Sequence, residues 1–191
     1  MTKFETLADL QQRLAVVLDT VERELVPLSV EQLRWKPAPD RWSIIECLQH
    51  LNLAERYYIR NLQHKADLPR PAGLPADQAL QSDWVGRLMR YIVDPQTRMR
   101  FPAPGLIRPR RAADLDVVAV MASFLGLKRL LQGLLDRLVW LDWNREKVMS
   151  LFGNWLTIRL GDTLLMLVAH TERHLAQAMR VKAEMATFAP L

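Results

Sequence analysis

The sequence predicts an all-α protein, a four-helix bundle in which one long connection crosses between the second and third helices. Four long stretches place apolar residues at steps of three and four, the spacing of one helix face. None of the chain shows a convincing strand alternation. The interval between the second and third stretches is nearly 50 residues, far beyond an ordinary helix-to-helix link. A link of that length carries the chain back across the bundle and leaves those two helices parallel. The whole of residues 1–191 reads as one domain.

The first 26 residues form an amphipathic helix, with Phe4, Leu7, Leu14, Leu18, Val21 and Leu25 on one face and a missed beat at Gln11. Pro27 ends it, because proline has no amide proton to give. The segment Trp35 to Trp42 holds two prolines and is an ordered connection. Ser43 and Glu46 then make a capping box that opens the second helix, Ile44 to about His64. A proline-rich stretch follows over 65–80, then a short helix near 78–92, then an irregular stretch over 94–112 with four prolines. The third long helix runs from Asp114 to Leu138. Residues 139–160 are a connection, and the last helix starts after Gly161, with Asp162 as its N-cap, and runs to about Thr187. Its stretch from Leu164 to Ala169 is apolar all round, so this helix is expected to be the most buried.

Composition narrows the class. Half of the residues are hydrophobic, a quarter are charged and only 7 are glycine, which excludes collagenous, low-complexity and largely disordered chains. A single cysteine excludes an internal disulfide and a Cys-x-x-Cys zinc ribbon. The apolar run Leu164–Ala169 is much shorter than the roughly 20 residues of a membrane span. The opening residues carry polar and acidic side chains where a signal peptide is apolar, so a cytoplasmic protein is expected. The net charge of +5 is local. Without Arg98, Arg100, Arg108, Arg110 and Arg111 the chain holds 21 basic and 21 acidic residues. That segment is either a solvated loop or an anion-attracting one.

The chemistry concentrates on histidine. His170 and His174 are four apart on the last helix, so at about 100° per residue both rings lie on one face, a turn apart. Two imidazoles so placed can grip one metal ion. Glu172 falls on the far side, so this is not the His-Glu-x-x-His motif of zinc hydrolases. His50, between Leu48 and Leu51 in the second helix, needs a partner for each ring nitrogen, and a shared metal answers that need. Three histidines also leave coordination positions open. His64 is expected to face solvent.

Glu46 and Tyr57 lie within about 40° of His50 on the helix, and Cys47 at about 60°. Glu46 either closes the cap or serves as a catalytic base. Tyr57 either donates to a substrate or packs in the core, and Cys47 is either a fourth ligand or a small buried hydrophobe. Arg173 and Gln177 flank the histidine face, where they either bind a substrate anion or pack along the bundle rim.

The block Trp35-x-Pro-x-Pro-x-x-Trp42-Ser43-Ile44-x-Glu46-x-Leu-x-His50-Leu51, with His170-x-x-x-His174-Leu175 far downstream, resembles the DinB-like superfamily, closest to the branch with YfiT-type metal-dependent hydrolases. The resemblance implies a bundle of up-down-down-up course and one divalent metal, commonly nickel or zinc, with iron or manganese as alternatives, held by His50, His170 and His174. It also implies a homodimer, and a reaction that uses a low-molecular-weight thiol such as bacillithiol, mycothiol or glutathione. The long Pro- and Arg-rich region departs from the neatest family pattern.

The expected function is therefore a metal-dependent enzyme on a small-molecule substrate, first a thiol S-transferase and next a hydrolase with Glu46 as base. The reading from a different class is a non-catalytic stress protein, metal-binding or nucleic-acid-associated. Phe101 is the one aromatic among the five arginines, which is no stacking ladder, so nucleic acid is not the expected partner.

Overall fold

The computed structural model describes residues 1–70, 73, 76–97 and 102–188, apart from the side chains of residues 154 and 188. Among them are six α-helices and one two-stranded sheet. Helix α1 spans Lys3–Glu24, α2 Val30–Arg34, α3 Ile44–Ala66, α4 Trp84–Val93, α5 Val117–Leu138 and α6 Leu160–Phe188.

Capping residues set most of the starts. Thr2 and Glu5 box the start of α1, Ser29 and Gln32 that of α2, and Ser43 and Glu46 that of α3. Asp83 and Asp116 accept backbone amides at the starts of α4 and α5. In α1 the buried stripe is Lys3, Thr6, Leu10, Leu14, Val17 and Val21, so only Leu14 and Val21 of the expected face are buried within the helix, and Phe4 is exposed. The face turns because the N-terminus is strapped to the segment before α4: Lys3 N donates to the Gln78 carbonyl and Phe4 N to the Asp77 carboxylate.

Two expectations are corrected. The connection over 139–160 contains an antiparallel hairpin, β1 Lys147–Ser150 and β2 Gly153–Arg159, with Val148 opposite Ile158 and with Gly153, at φ +115°, opening β2 directly after the turn. Asp162 is not the cap of the last helix, which already begins at Leu160. Its buried carboxylate accepts from Ser82 Oγ at 2.6 Å and from Arg90 at 3.3 Å, which anchors α4 on α6. Gly86 of α4 sits so close that a Cβ there would fall 2.0 Å from Asp162 Oδ2.

Helices α1 and α3 each pack on α5 and α6. The core is two apolar clusters. Along α1 the chain passes from the first cluster (Leu10, Leu14) to the second (Val17, Val21), and along α6 likewise from Leu167 and Val168 to Leu175 and Ala178. Along α3 and α5 the order reverses, from Leu51 to Tyr58 and from Phe124 to Leu131. Helix α5 is long and apolar enough by composition to cross a membrane. Its buried face (Phe124, Lys128, Leu131, Leu135) packs on α1 and α3, which makes it a core helix of this bundle.

Between the two clusters lies a polar waist. The Lys128 ammonium is fully buried, paired with the Glu55 carboxylate, donates to Thr171 Oγ1 at 2.9 Å and lies over the Phe124 ring. The three histidines of α3 and α6 stand at the same waist, at the ends of the two clusters.

Candidate metal centre

His50, His170 and His174 come together, with one ligand nitrogen from each all within 4.8 Å of one another. His50 is 2% exposed, and the other two are half-buried. The Nε2 atoms of His50 and His170 are 3.1 Å apart. Two nitrogens bound to one ion at about 2.0–2.1 Å, at angles between octahedral and tetrahedral, stand roughly 2.9–3.4 Å apart. The pair fits that separation.

The outer nitrogens fix the tautomers. His50 Nδ1 lies 2.7 Å from the Ile107 carbonyl, which can only accept, so the proton is on Nδ1 and the lone pair of Nε2 faces inward. His174 Nδ1 lies 3.0 Å from Gln177 Oε1 in the same sense. Such outer partners orient a metal-binding imidazole and raise its basicity. Burial, the largest cause, lowers the affinity of all three rings for a proton. The Ile107 carbonyl opposes it at His50. The neighbouring histidines, Lys128 and Arg173 add to it at His170, which falls well below the usual range. His174 is lowered to about 3, with Gln177 opposing the shift. The three rings are thus neutral at physiological pH, the form that ligates. A trio of neutral imidazoles, two of them held by outer acceptors with the inner nitrogen unprotonated, fits a divalent transition ion.

A cavity of about 330 Å3 opens beside the trio. Its wall draws on α3 (Ala54, Tyr58), α4 (Met89, Ile92, Val93), the turn around Ile107, the hairpin (Leu151, Phe152) and α6 (Met166, Leu167). Trp42 closes one side, its ring centroid 5.0 Å from that of His50 and 5.8 Å from that of His174. Among the described lining residues the histidines and Arg173 are polar or charged, Tyr58 and Trp42 each carry one polar atom, and no carboxylate is present.

The remaining sequence candidates are placed as follows. Glu46 is in the cap: Ser43 N donates to Oε2 at 2.7 Å, while Ala112 N and Lys36 Nζ reach Oε1 at 3.1 and 3.4 Å. It does not line the cavity. Tyr57 is half-buried and packs edge-on against Tyr58, and it is Tyr58 that lines the cavity. The Tyr58 hydroxyl accepts from Leu151 N at 3.4 Å. Arg173 lines the cavity and donates to the carbonyls of Asp94 and Thr97. Gln177 touches the site through His174. Cys47 is fully buried among apolar residues, and burial pushes its thiol up to about 12, so it is the small hydrophobe of the two readings. His64 is exposed, and Glu172 turns away to a bidentate pair with Arg13.

Of the arginine cluster, Arg98 and Arg100 lie outside the described residues, as does Phe101. Arg108, Arg110 and Arg111 are exposed, with Arg111 paired to Asp114. Sequence reasoning missed Trp42, Tyr58 and the Ile107 carbonyl as parts of the site. Trp42 stood in the recognised block, but nothing in its spacing aims it at the histidines.

Comparison with protein families matches residues 8–178 to the family described as the DinB superfamily. Neither the curated proteins nor the solved structures give a match.

Proposed function

The chain belongs to the DinB superfamily, and from that premise we propose that it is a divalent-metal-dependent enzyme, a thiol S-transferase acting on a small molecule. The observation that carries this is the convergence of three neutral imidazoles, two with their outer nitrogens held by acceptors, at the end of an apolar cavity. His50, His170 and His174 would hold the divalent ion, which when bound would lower the pKa of a thiol beside it and make the sulfur a nucleophile near neutral pH.

The chain's own residues do the rest. Ile107 and Gln177 orient the imidazoles, Trp42 and the apolar wall exclude water, and the cavity positions the electrophile next to the histidines. The sulfur forms a bond to an electrophilic carbon, the thiol proton passes to solvent, and the leaving group departs with the electron pair of the broken bond. The transferase is favoured over the hydrolase because Glu46 is tied into the cap and no carboxylate lines the described cavity wall to deprotonate water.

The reading includes a four-helix bundle of up-down-down-up course. The order in which α1, α3, α5 and α6 pass between the two apolar clusters supports that course. It also includes a cytoplasmic homodimer without a nucleic-acid partner. The test is elemental analysis of untagged protein beside a His174→Ala variant, followed by thiol conjugation assays on the metal-loaded form. One equivalent of a transition metal, lost in the variant together with conjugation, is the expected result. Metal-free protein that takes up no nickel or zinc defeats the proposal.

A further inference from the structure

The chemistry of the cavity wall narrows the substrate, an inference that rests on the enzymatic reading just given. At about 330 Å3 the cavity lies at the lower end of the roughly 300–1,000 Å3 of small-molecule sites, so its occupant is compact. The described wall is mostly methyl, methylene and aromatic carbon, as in Ala54, Met89, Ile92, Phe152, Met166 and Leu167. Most of the polar atoms nearby are engaged within the protein. His50 and His174 spend their outer nitrogens on Ile107 and Gln177, and Arg173 donates to two backbone carbonyls. The Tyr58 hydroxyl accepts the Leu151 amide and keeps its own proton to donate.

Among the described residues this leaves a ligand the inward face of the imidazoles and the Tyr58 O–H, set in a wall that is otherwise mostly apolar. A sugar-like or peptide-like body in the cavity would bury hydroxyl, amide or carboxylate groups against carbon and forfeit their bonds to water. An alkyl or aryl body gains from the same burial.

We infer that this cavity selects a compact, uncharged, largely apolar molecule, an alkyl or aryl electrophile with one polar end directed at the three histidines. The hydrophilic body of a thiol co-substrate stays outside the cavity. The polarity that distinguishes one thiol from another is therefore read at the mouth, and the electrophile is read by the interior.

The experiment uses N-phenyl-1-naphthylamine, an uncharged dye that brightens in apolar surroundings, titrated into full-length metal-free protein. Saturable brightening with one dye per chain is expected. Ala54→Phe, which fills the interior, and Phe152→Glu, which places a charge at the half-exposed rim, should each weaken it about tenfold or more. Glutathione at matching concentration should not displace the dye. If the dye fails to bind while zinc binds, the inference falls and the metal reading stands. If zinc fails to bind while the dye binds, the reverse holds. Dye binding that is unchanged in both wall variants, or that glutathione displaces, also overturns it.

Discussion

The Nε2 atoms of His50 and His170 face each other across 3.1 Å, although the two residues are 120 positions apart in the chain. Helix α3 brings one and α6 the other, and the lone pair that Ile107 leaves on His50 points towards its neighbour. Two such lone pairs repel unless a proton or a cation stands between them.

The first prediction follows from that convergence. Alanine at His50, His170 or His174 should abolish tight zinc or nickel binding in calorimetric titration. Gln177→Ala, which removes only an outer partner, should weaken binding by roughly 10–100-fold. His64→Ala should leave it unchanged, because that ring is exposed and outside the trio. Equal losses at Gln177 and His174 would mean that the glutamine is itself a ligand.

A pH dependence follows from the lowered proton affinity of the trio. In metal-free protein His174 titrates near 3, whereas an unfolded histidine titrates near 6.5. Between those values the unfolded chain takes up protons that the folded chain refuses, so folded stability falls as the pH drops below about 6.5. His50 and His170 are shifted in the same direction and add to the effect. The Tm of metal-free protein should therefore drop between roughly pH 6.5 and 5, above the usual carboxylate range, and His174→Gln should lessen the drop. A flat Tm over that window would contradict the placement of the rings.

Gly86→Ala should destabilise the protein even though alanine is the better helix former by about 1 kcal/mol. The added methyl meets the Asp162 carboxylate, which is held by Ser82 and Arg90. A net loss of about 1–3 kcal/mol in urea unfolding is expected. Because α4 carries Met89 and Ile92 into the cavity wall, dye binding should weaken with it. Wild-type stability in this variant would show that α4 is free to shift.

The buried Lys128–Glu55 pair makes a further prediction. Glu55→Ala leaves an uncompensated ammonium in the core and should cost about 3–5 kcal/mol. Replacing both residues together, with Glu55→Leu and Lys128→Met, should recover most of that loss or exceed wild-type stability. Thermal melts of the three variants decide it. A double variant as unstable as the single one would show that the pair does more than compensate its own burial.

The parts of this molecule that were legible in the sequence are those governed by short-range rules. The Ser43–Glu46 box and the four-residue step from His170 to His174 depend on neighbours along one helix, and both appear as expected. The α1 stripe was misjudged because leucines at 7, 10, 14 and 18 serve two faces equally well. The choice between them is made by the strap to Asp77 and Gln78, far away in sequence. The hairpin escaped notice because β1 is four residues long and Trp155 of β2 is exposed. Tyr58 replaced Tyr57 at the cavity because that wall is assembled by α4, the hairpin and α6 together. A helical wheel drawn for one segment cannot anticipate such a meeting.

The acceptor that holds His50 is a main-chain oxygen, in the short 3-10 turn Gly105–Ile107 of the long crossover. A main-chain oxygen belongs to every residue type, so no replacement of the side chain at position 107 deletes it. Only a change in the route of the polypeptide would. The crossover is thereby free to vary in composition, and with it the entrance to the cavity, while the tilt and tautomer of the imidazole it steadies are passed on intact.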